Sequence, residues 1–208
     1  FLSTWFIALA IVSVQLIPTL KFIMLSARDV DQLFWRGEGW FIPWKHLIQF
    51  VAPDFFGNPT TLNYWGTWNY AELTGYAGIL PLIFAIYALF RKDKKILFFG
   101  FLLVISLIFS LSNFLANLPY LLNLPFISTS QPTRLLFLVN FSIAILSALG
   151  LNHFLKTNSR KAILYIVGLL GILLVCLFIF ANLGQSFGFN ADNMDVAKRN
   201  LILPFGNS

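Results

Sequence analysis

The stretch Ala162-Ile163-Leu164-Tyr165-Ile166-Val167-Gly168-Leu169-Leu170-Gly171-Ile172-Leu173-Leu174-Val175-Cys176-Leu177-Phe178-Ile179-Phe180-Ala181-Asn182-Leu183 runs for twenty-two residues without a charge. At 1.5 Å per residue, a helix of that length covers the ~30 Å hydrocarbon layer of a bilayer. No open sheet satisfies its backbone polar groups in lipid, so a segment of this kind must be helical there.

Composition points the same way. The chain is 58% apolar and 11% charged, against roughly 45–50% and about 25% in soluble domains. So apolar a chain does not stay disordered, and the lone Cys176 cannot build a disulfide scaffold. Working outward from 162–183, four further low-charge stretches appear at about 1–20, 73–90, 96–112 and 135–155. Residues 1–208 therefore read as a single all-α, polytopic integral membrane domain of about five transmembrane helices. Phe1 opens in an apolar run with no initiator Met and no basic segment before it, which reads as a piece of a longer protein.

The net charge of +6 would suggest nucleic acid if it formed a patch on a soluble fold. Here the basic residues cluster between apolar runs instead, so no nucleic-acid partner is expected. Four lie in Arg91-Lys92-Asp93-Lys94-Lys95 and three in Lys156-Thr157-Asn158-Ser159-Arg160-Lys161. Basic residues in short loops are retained on the cytoplasmic side, which makes 91–95 and 156–161 cytoplasmic. Five alternating helices then place the long loop 26–72 on the opposite, external side of the membrane, together with 113–133 and the tail after Leu183. The loop holds three basic and five acidic residues, consistent with that side.

Five of the six tryptophans, Trp35, Trp40, Trp44, Trp65 and Trp68, fall in this loop. From Pro43, the residues Trp44, Leu47, Ile48 and Val51 recur at i, i+3, i+4 and i+7, predicting a short interfacial helix on the outer surface. Beyond it, indoles, phenols, amides and carboxylates alternate with Pro and Gly turns. That mixture suits a carbohydrate or a phospholipid headgroup, which need flat faces to stack on and directed polar groups. An aromatic belt without catalytic meaning has the same composition. Between Asn113 and Phe126 an uncharged stretch broken by Pro119 and Pro125 reads as re-entrant or interfacial, with a cavity next to Arg134.

The blocks Asp54-Phe55-Phe56-Gly57-Asn58-Pro59, Asn63-Tyr64-Trp65-Gly66, Asn69-Tyr70-Ala71-Glu72 and Gly75-Tyr76-Ala77-Gly78-Ile79-Leu80-Pro81 follow one another in an order that resembles the YfhO-like bacterial membrane proteins. A second region, Leu124-Pro125 through Pro132-Thr133-Arg134-Leu135-Leu136-Phe137 into Ala148-Leu149-Gly150-Leu151, is similar to that family's Pro-(small)-Arg opening of a helix ending in Gly-Leu. The resemblance covers about 17–155. It implies a polytopic GT-C-like glycosyltransferase that moves a sugar from a polyprenyl-phosphate carrier to a cell-envelope acceptor, a glycan or teichoic-acid-like polymer, on the outer face. Members commonly carry a further Arg four residues before the position of Arg134; this chain has Ser130 there. In GT-C enzymes the catalytic acid sits in the first external loop, which would place it upstream of Phe1.

Such transfer needs a carboxylate to deprotonate the acceptor and a cation or metal to stabilise the departing phosphate, so a divalent metal is a conceivable cofactor. The candidate substrate-binding residues are Asp54, Asn58, Asn63, Tyr64, Trp65, Asn69, Tyr70, Glu72 and Arg134. For Asp54 a metal or acceptor contact and a turn-capping role before Gly57 are both open. Glu72 either binds ligand or marks the membrane boundary. Arg134 either clamps a phosphate through two hydrogen bonds or snorkels to lipid headgroups. Asp29, Asp31 and Glu38 read as a solvated loop, and His46 and His153 as no metal pair. Two other functions are consistent with the sequence: a transporter or flippase for a lipid-linked substrate, and a non-catalytic scaffold for cell-wall assembly. A transporter would usually carry ionisable groups at mid-membrane, and the span interiors hold only amides and hydroxyls such as Gln15, Ser106 and Ser142.

Overall fold

The computed structural model describes residues 2–25, 39–122, 124, 127, 130–157 and 159–206. The acidic positions Asp29, Asp31 and Glu38, with Trp35 and Pro125, lie outside the described residues. Among the described residues the fold is all-helical: α1 (Leu2–Met24), α2 (Ile79–Leu89), α3 (Lys94–Ser110), α4 (Phe114–Leu121), α5 (Leu136–Thr157), α6 (Arg160–Leu183) and α7 (Ala191–Gly206). A single helical turn, Tyr70–Leu73, and 3-10 segments at Trp44–Phe50, Pro59–Thr61, Pro132–Leu135 and Gly184–Phe187 complete it.

Every one of the five apolar stretches contains a helix, but among the described residues two helices are long and apolar enough to cross a membrane. These are Pro132–Thr157, of 26 residues, and Arg160–Phe187, of 28. The stretch 73–90 differs from expectation, being helical only over the eleven residues Ile79–Leu89. Its first part, 74–78, is not helical, and its glycines fit places where a side chain would not. A Cβ at Gly75 would lie 2.6 Å from the Phe50 ring, and Gly78 holds φ +99°, a conformation that side chains rarely adopt. Likewise 96–112 is helical over Lys94–Ser110, started by Asp93, whose carboxylate accepts from the Lys95 N–H at 2.8 Å. It ends where Leu111 turns extended beside Ile42: the Ile42 N–H donates to Ser110 O at 2.9 Å and Ser112 N–H to Ile42 O at 3.2 Å.

The core sits between α2, α3 and α5, where Ala85, Ala88, Ile96, Val139, Ile143 and Leu146 pack with Ile42 and Leu73 from the loop. Gly150 permits the close approach of α5 to α2, since a Cβ there would stand 2.1 Å from Phe84 O. α6 leans on α2 through Ile166 against Ile83 and Tyr87. Only 11% of its most apolar window is buried, so nearly all of its apolar surface is left uncovered.

The tail after Leu183 holds an element that the apolar runs did not announce. In α7, Met194, Ala197 and Leu201 recur at i, i+3 and i+7; Ala197 and Leu201 pack with Leu177 and Ala181 of α6 and with Phe55 and Phe56 of the loop. Asn190 opens this helix by accepting from Asp192 N–H at 2.8 Å. Loop and tail therefore form one structure at the end of α6 remote from Arg160. At the other end of α5, Arg91, Lys92 and Lys95 share a cavity with Lys156, so parts of both basic segments meet.

Candidate functional site

The segment after Pro43 is a 3-10 helix rather than the α-helix that its apolar spacing predicts, and the change of period from 3.6 to 3 changes which side chains are inside. The expected stripe of Trp44, Leu47, Ile48 and Val51 does not form the buried face; Trp44 is 58% exposed and its indole N–H donates to Ser112 O at 2.8 Å. Positions 46, 49 and 52 go inside instead, and His46 and Gln49 are both 0% exposed.

These two buried polar residues organise the loop. Gln49 Nε2 donates to Pro53 O and to Thr74 Oγ1, each at 3.1 Å, which leaves Oε1 as the acceptor for His46 Nδ1–H at 2.5 Å. The opposite ring nitrogen, Nε2, accepts from the Thr67 N–H at 3.3 Å. The imidazole is thus fixed as the neutral Nδ1–H tautomer, and burial, with Lys45 nearby, holds its pKa below 6.5. Its ring stacks on Phe56 with centroids 4.6 Å apart. Through these bonds His46 and Gln49 tie together 53, 67 and 74, which bracket the motif blocks.

Within that frame, Asp54 Oδ1 accepts from Tyr70 OH at 2.8 Å and from Asn58 Nδ2 at 3.1 Å. Its backbone carbonyl accepts from Gly57 N–H at 2.9 Å and from Asn200 Nδ2 of α7 at 2.6 Å. Asn63 Oδ1 accepts from the Asn58 N–H at 2.9 Å and from Thr61 Oγ1 at 2.7 Å. Tyr64 OH donates to Thr67 O at 2.5 Å, and its ring meets Tyr70 edge-on with centroids 5.5 Å apart. Burial pushes the Tyr64 phenol up to about 12. Burial and then its bond to Asp54 push Tyr70 to about 12 as well, so both phenols stay protonated donors.

Asn58, Tyr64, Trp68, Asn69 and Tyr70 line an open groove of about 790 Å³. Trp68 is 77% exposed there, an indole face free for stacking. Asp54 stands behind the groove and holds its walls, Tyr70 and Asn58, rather than lining it. Asn63 also serves the frame, and Trp65 packs in the cluster with Phe55 and Phe56, its ring edge-on to Phe56 at 4.7 Å.

Glu72 and Arg134, 62 positions apart in sequence, come together in a second cavity of about 340 Å³, walled by Thr74, Thr133, Phe137 and Asn140. Gln131 Nε2 donates to Glu72 Oε2. Among the described residues Glu72 and Arg134 form no ion pair, so the exposed guanidinium keeps its donors for something else. Thr133 is 1% exposed with an unpartnered Oγ1, and Asn140 Oδ1 is likewise buried without a partner. The cavity thus brings a carboxylate, a guanidinium and two residues with unpartnered oxygens together. The cavity expected beside Arg134 exists, but its walls come from the 71–74 segment and α5 rather than from 113–126.

The two recesses share Ala71. One helical turn, Tyr70–Leu73, presents Tyr70 to the groove and Glu72 to the Arg134 cavity. Sequence reading missed His46 and Gln49 as parts of this arrangement and named Trp68 only among the loop tryptophans; the sign for the first two was a His and a Gln three positions apart in a segment read with the wrong period. Among the described residues, no three His, Cys, Asp or Glu side chains converge to hold a metal. Compared with protein-family models, curated proteins and solved structures, the chain matches none.

Proposed function

We propose that this chain is all or part of a membrane glycosyltransferase of the YfhO-like, GT-C-like type, moving a sugar from a polyprenyl-phosphate donor to a cell-envelope acceptor on the outer face. The observation that carries this reading is the adjacency of two chemically different recesses on one helical turn. A groove of phenols, amides and an exposed indole suits a glycan; the neighbouring cavity offers an unpaired guanidinium to a phosphate. A donor of this class contains both parts, linked by one bond.

In this reading Arg134 stabilises negative charge as the carrier phosphate departs. Glu72, held by Gln131, is the carboxylate nearest that charge, and Asp54 is a positioning residue that fixes Tyr70 and Asn58. The five apolar helices alternate across the membrane, with the groove outside and the basic segments 91–95 and 156–161 on the cytoplasmic side. The eleven residues of α2 rise ~16 Å. In this reading the non-helical residues 74–78, with Gly75 against Phe50 and Leu136, complete the crossing where they are covered by protein.

The test is sugar release from polyprenyl-phosphate donors by the full-length protein, comparing Arg134→Ala, Asp54→Ala and Trp68→Ala at equal expression. Arg134→Ala should lower turnover about 100-fold, the scale of losing one charge-stabilising donor. Trp68→Ala should raise KM with little change in kcat. Unchanged turnover in all three removes the assignment, and binding of the donor without release would favour the transporter or the scaffold.

A further inference from the structure

At the opposite end of α5 from Arg134, the chain builds a cavity that the proposed transfer does not use. It measures about 700 Å³ and is lined by Arg91 and Lys92 from the α2–α3 connection, by Lys95 from the first turn of α3 and by Asn152, His153 and Lys156 from the last turns of α5. The close packing at Gly150 brings these elements together, one turn before His153. Four cations thus face one cavity, against a single acid, Asp93, whose carboxylate already accepts from the Lys95 N–H. Among the described residues, none of the four forms an ion pair.

His153 supplies an independent observation. Its Nε2 is buried without a partner, while its ring lies tilted on Tyr87 with centroids 5.9 Å apart. A buried imidazole nitrogen normally finds a partner. Convergent guanidinium and ammonium groups beside it suit the tetrahedral oxygens of a phosphate better than a single carboxylate. Retention of basic loops on one side of a membrane requires positive charge, but not its convergence on one cavity with an orphaned imidazole.

The surroundings favour a lipid as the source of that phosphate. Phe90, which lines the cavity, is 73% exposed, and Leu97 and Leu155, next in sequence to the lining residues Ile96 and Lys156, are 60% and 73% exposed. A free ion would be indifferent to this apolar rim, whereas an acyl chain would cover it. We propose that the cavity binds the phosphate headgroup of an anionic membrane phospholipid, held by Arg91, Lys92, Lys95 and Lys156 with His153 at its wall. The proposal rests on the chain lying in a membrane, but not on glycosyl transfer.

The test titrates the detergent-solubilised full chain with dioctanoyl phosphatidic acid, dioctanoyl phosphatidylcholine and inorganic phosphate by isothermal calorimetry. Lys95→Gln/Lys156→Gln removes two cavity charges; Lys94→Gln/Lys161→Gln removes two from the same end of the bundle outside the cavity. All four lysines are exposed, so neither pair bears on the core. Phosphatidic acid should bind saturably, about 20-fold more weakly in the first pair and within about twofold of the parent in the second. His153→Gln, as a separate variant, should also weaken it. Equal weakening by both pairs, saturable binding of phosphatidylcholine at the same strength, or inorganic phosphate binding as tightly as the lipid would each overturn the proposal. Loss of glycosyl transfer with lipid binding intact would count against the function proposed above and leave this site standing.

Discussion

In the segment 39–74, His46 and Gln49 are fully enclosed and spend their hydrogen-bonding atoms on one another, on Thr67, on Pro53 and on Thr74. In α6, by contrast, Leu164, Tyr165, Leu169 and Ile172 are 62–74% exposed, and nothing lies within 4 Å of where a Cβ would stand at Gly168 or Gly171. The loop takes its shape from directed polar contacts inside the protein, which tolerate little change. The helix takes its shape from its own backbone, and its side-chain surface is left for whatever surrounds it. A chain that looks uniformly apolar thus contains one region specified atom by atom and another specified only by length and hydropathy.

The sharpest way to break this contrast is Gly57→Ala. Gly57 holds φ +81°, and a Cβ would lie 2.2 Å from Asn63 O. Left-handed strain and overpacking each cost roughly 1–3 kcal/mol, so a loss of about 3–5 kcal/mol is expected in detergent melting, with the groove collapsing alongside. A melting temperature like the parent's would show that the loop is not tightly specified.

Gln49→Ala comes next. It removes one hydrogen bond each from His46 Nδ1, Thr74 Oγ1 and Pro53 O at once, and unsatisfied buried groups cost roughly 1–3 kcal/mol. We expect about 2–3 kcal/mol of destabilisation, and loss of the Tyr70–Asp54 geometry as seen in Trp68 fluorescence. An effect under about 0.5 kcal/mol would mean that the frame is held elsewhere.

A smaller effect follows from His46. Its pKa in the folded chain is lower than 6.5, its value when unfolded, chiefly because burial disfavours the charged ring. As pH falls through 6.5 the unfolded chain takes up the proton first. The stability it contributes is therefore whole above pH 6.5 and declines below it, by at most about 1.4 kcal/mol per pH unit. Melting at about pH 7.5 and about pH 5.5 should show that decline in the parent, and His46→Gln should flatten it; an equal slope in both would assign the effect to other groups.

The smallest change belongs to α6. Gly168→Ala meets open space and removes a flexible residue from a helix interior, which is worth about 0.5–1 kcal/mol in the stabilising direction. Destabilisation instead would reveal a close neighbour at that position.

The helices were legible because long runs of Leu, Ile and Phe leave a chain few alternatives, and the two longest are both of crossing length. The interruption of 73–90 was written in Gly75 and Gly78, but the close approach of the Phe50 ring to Gly75, twenty-five positions away, was not. The segment Trp44–Phe50 was read as helical and located correctly, yet apolar spacing could not distinguish a period of 3 from one of 3.6 over seven residues. The candidate residues Asn58, Tyr64, Asn69 and Tyr70 do line one groove, and Glu72 and Arg134 one cavity. That Asp54 lies behind them could not be read, because which face of a loop an acid occupies depends on packing between elements distant in sequence. α7 escaped notice for the opposite reason: its apolar positions are few and its charges many, and only contact with the loop makes its pattern visible.

The amide of Asn200 on the Asp54 carbonyl joins positions 146 residues apart. During synthesis the early loop leaves the ribosome long before its late partner exists, so the groove must wait half-built while α2 to α6 are made. Its completion then follows the making of α7, and a cleavage between Leu183 and Asn200 would leave α2 to α6 in place and the recess unfinished.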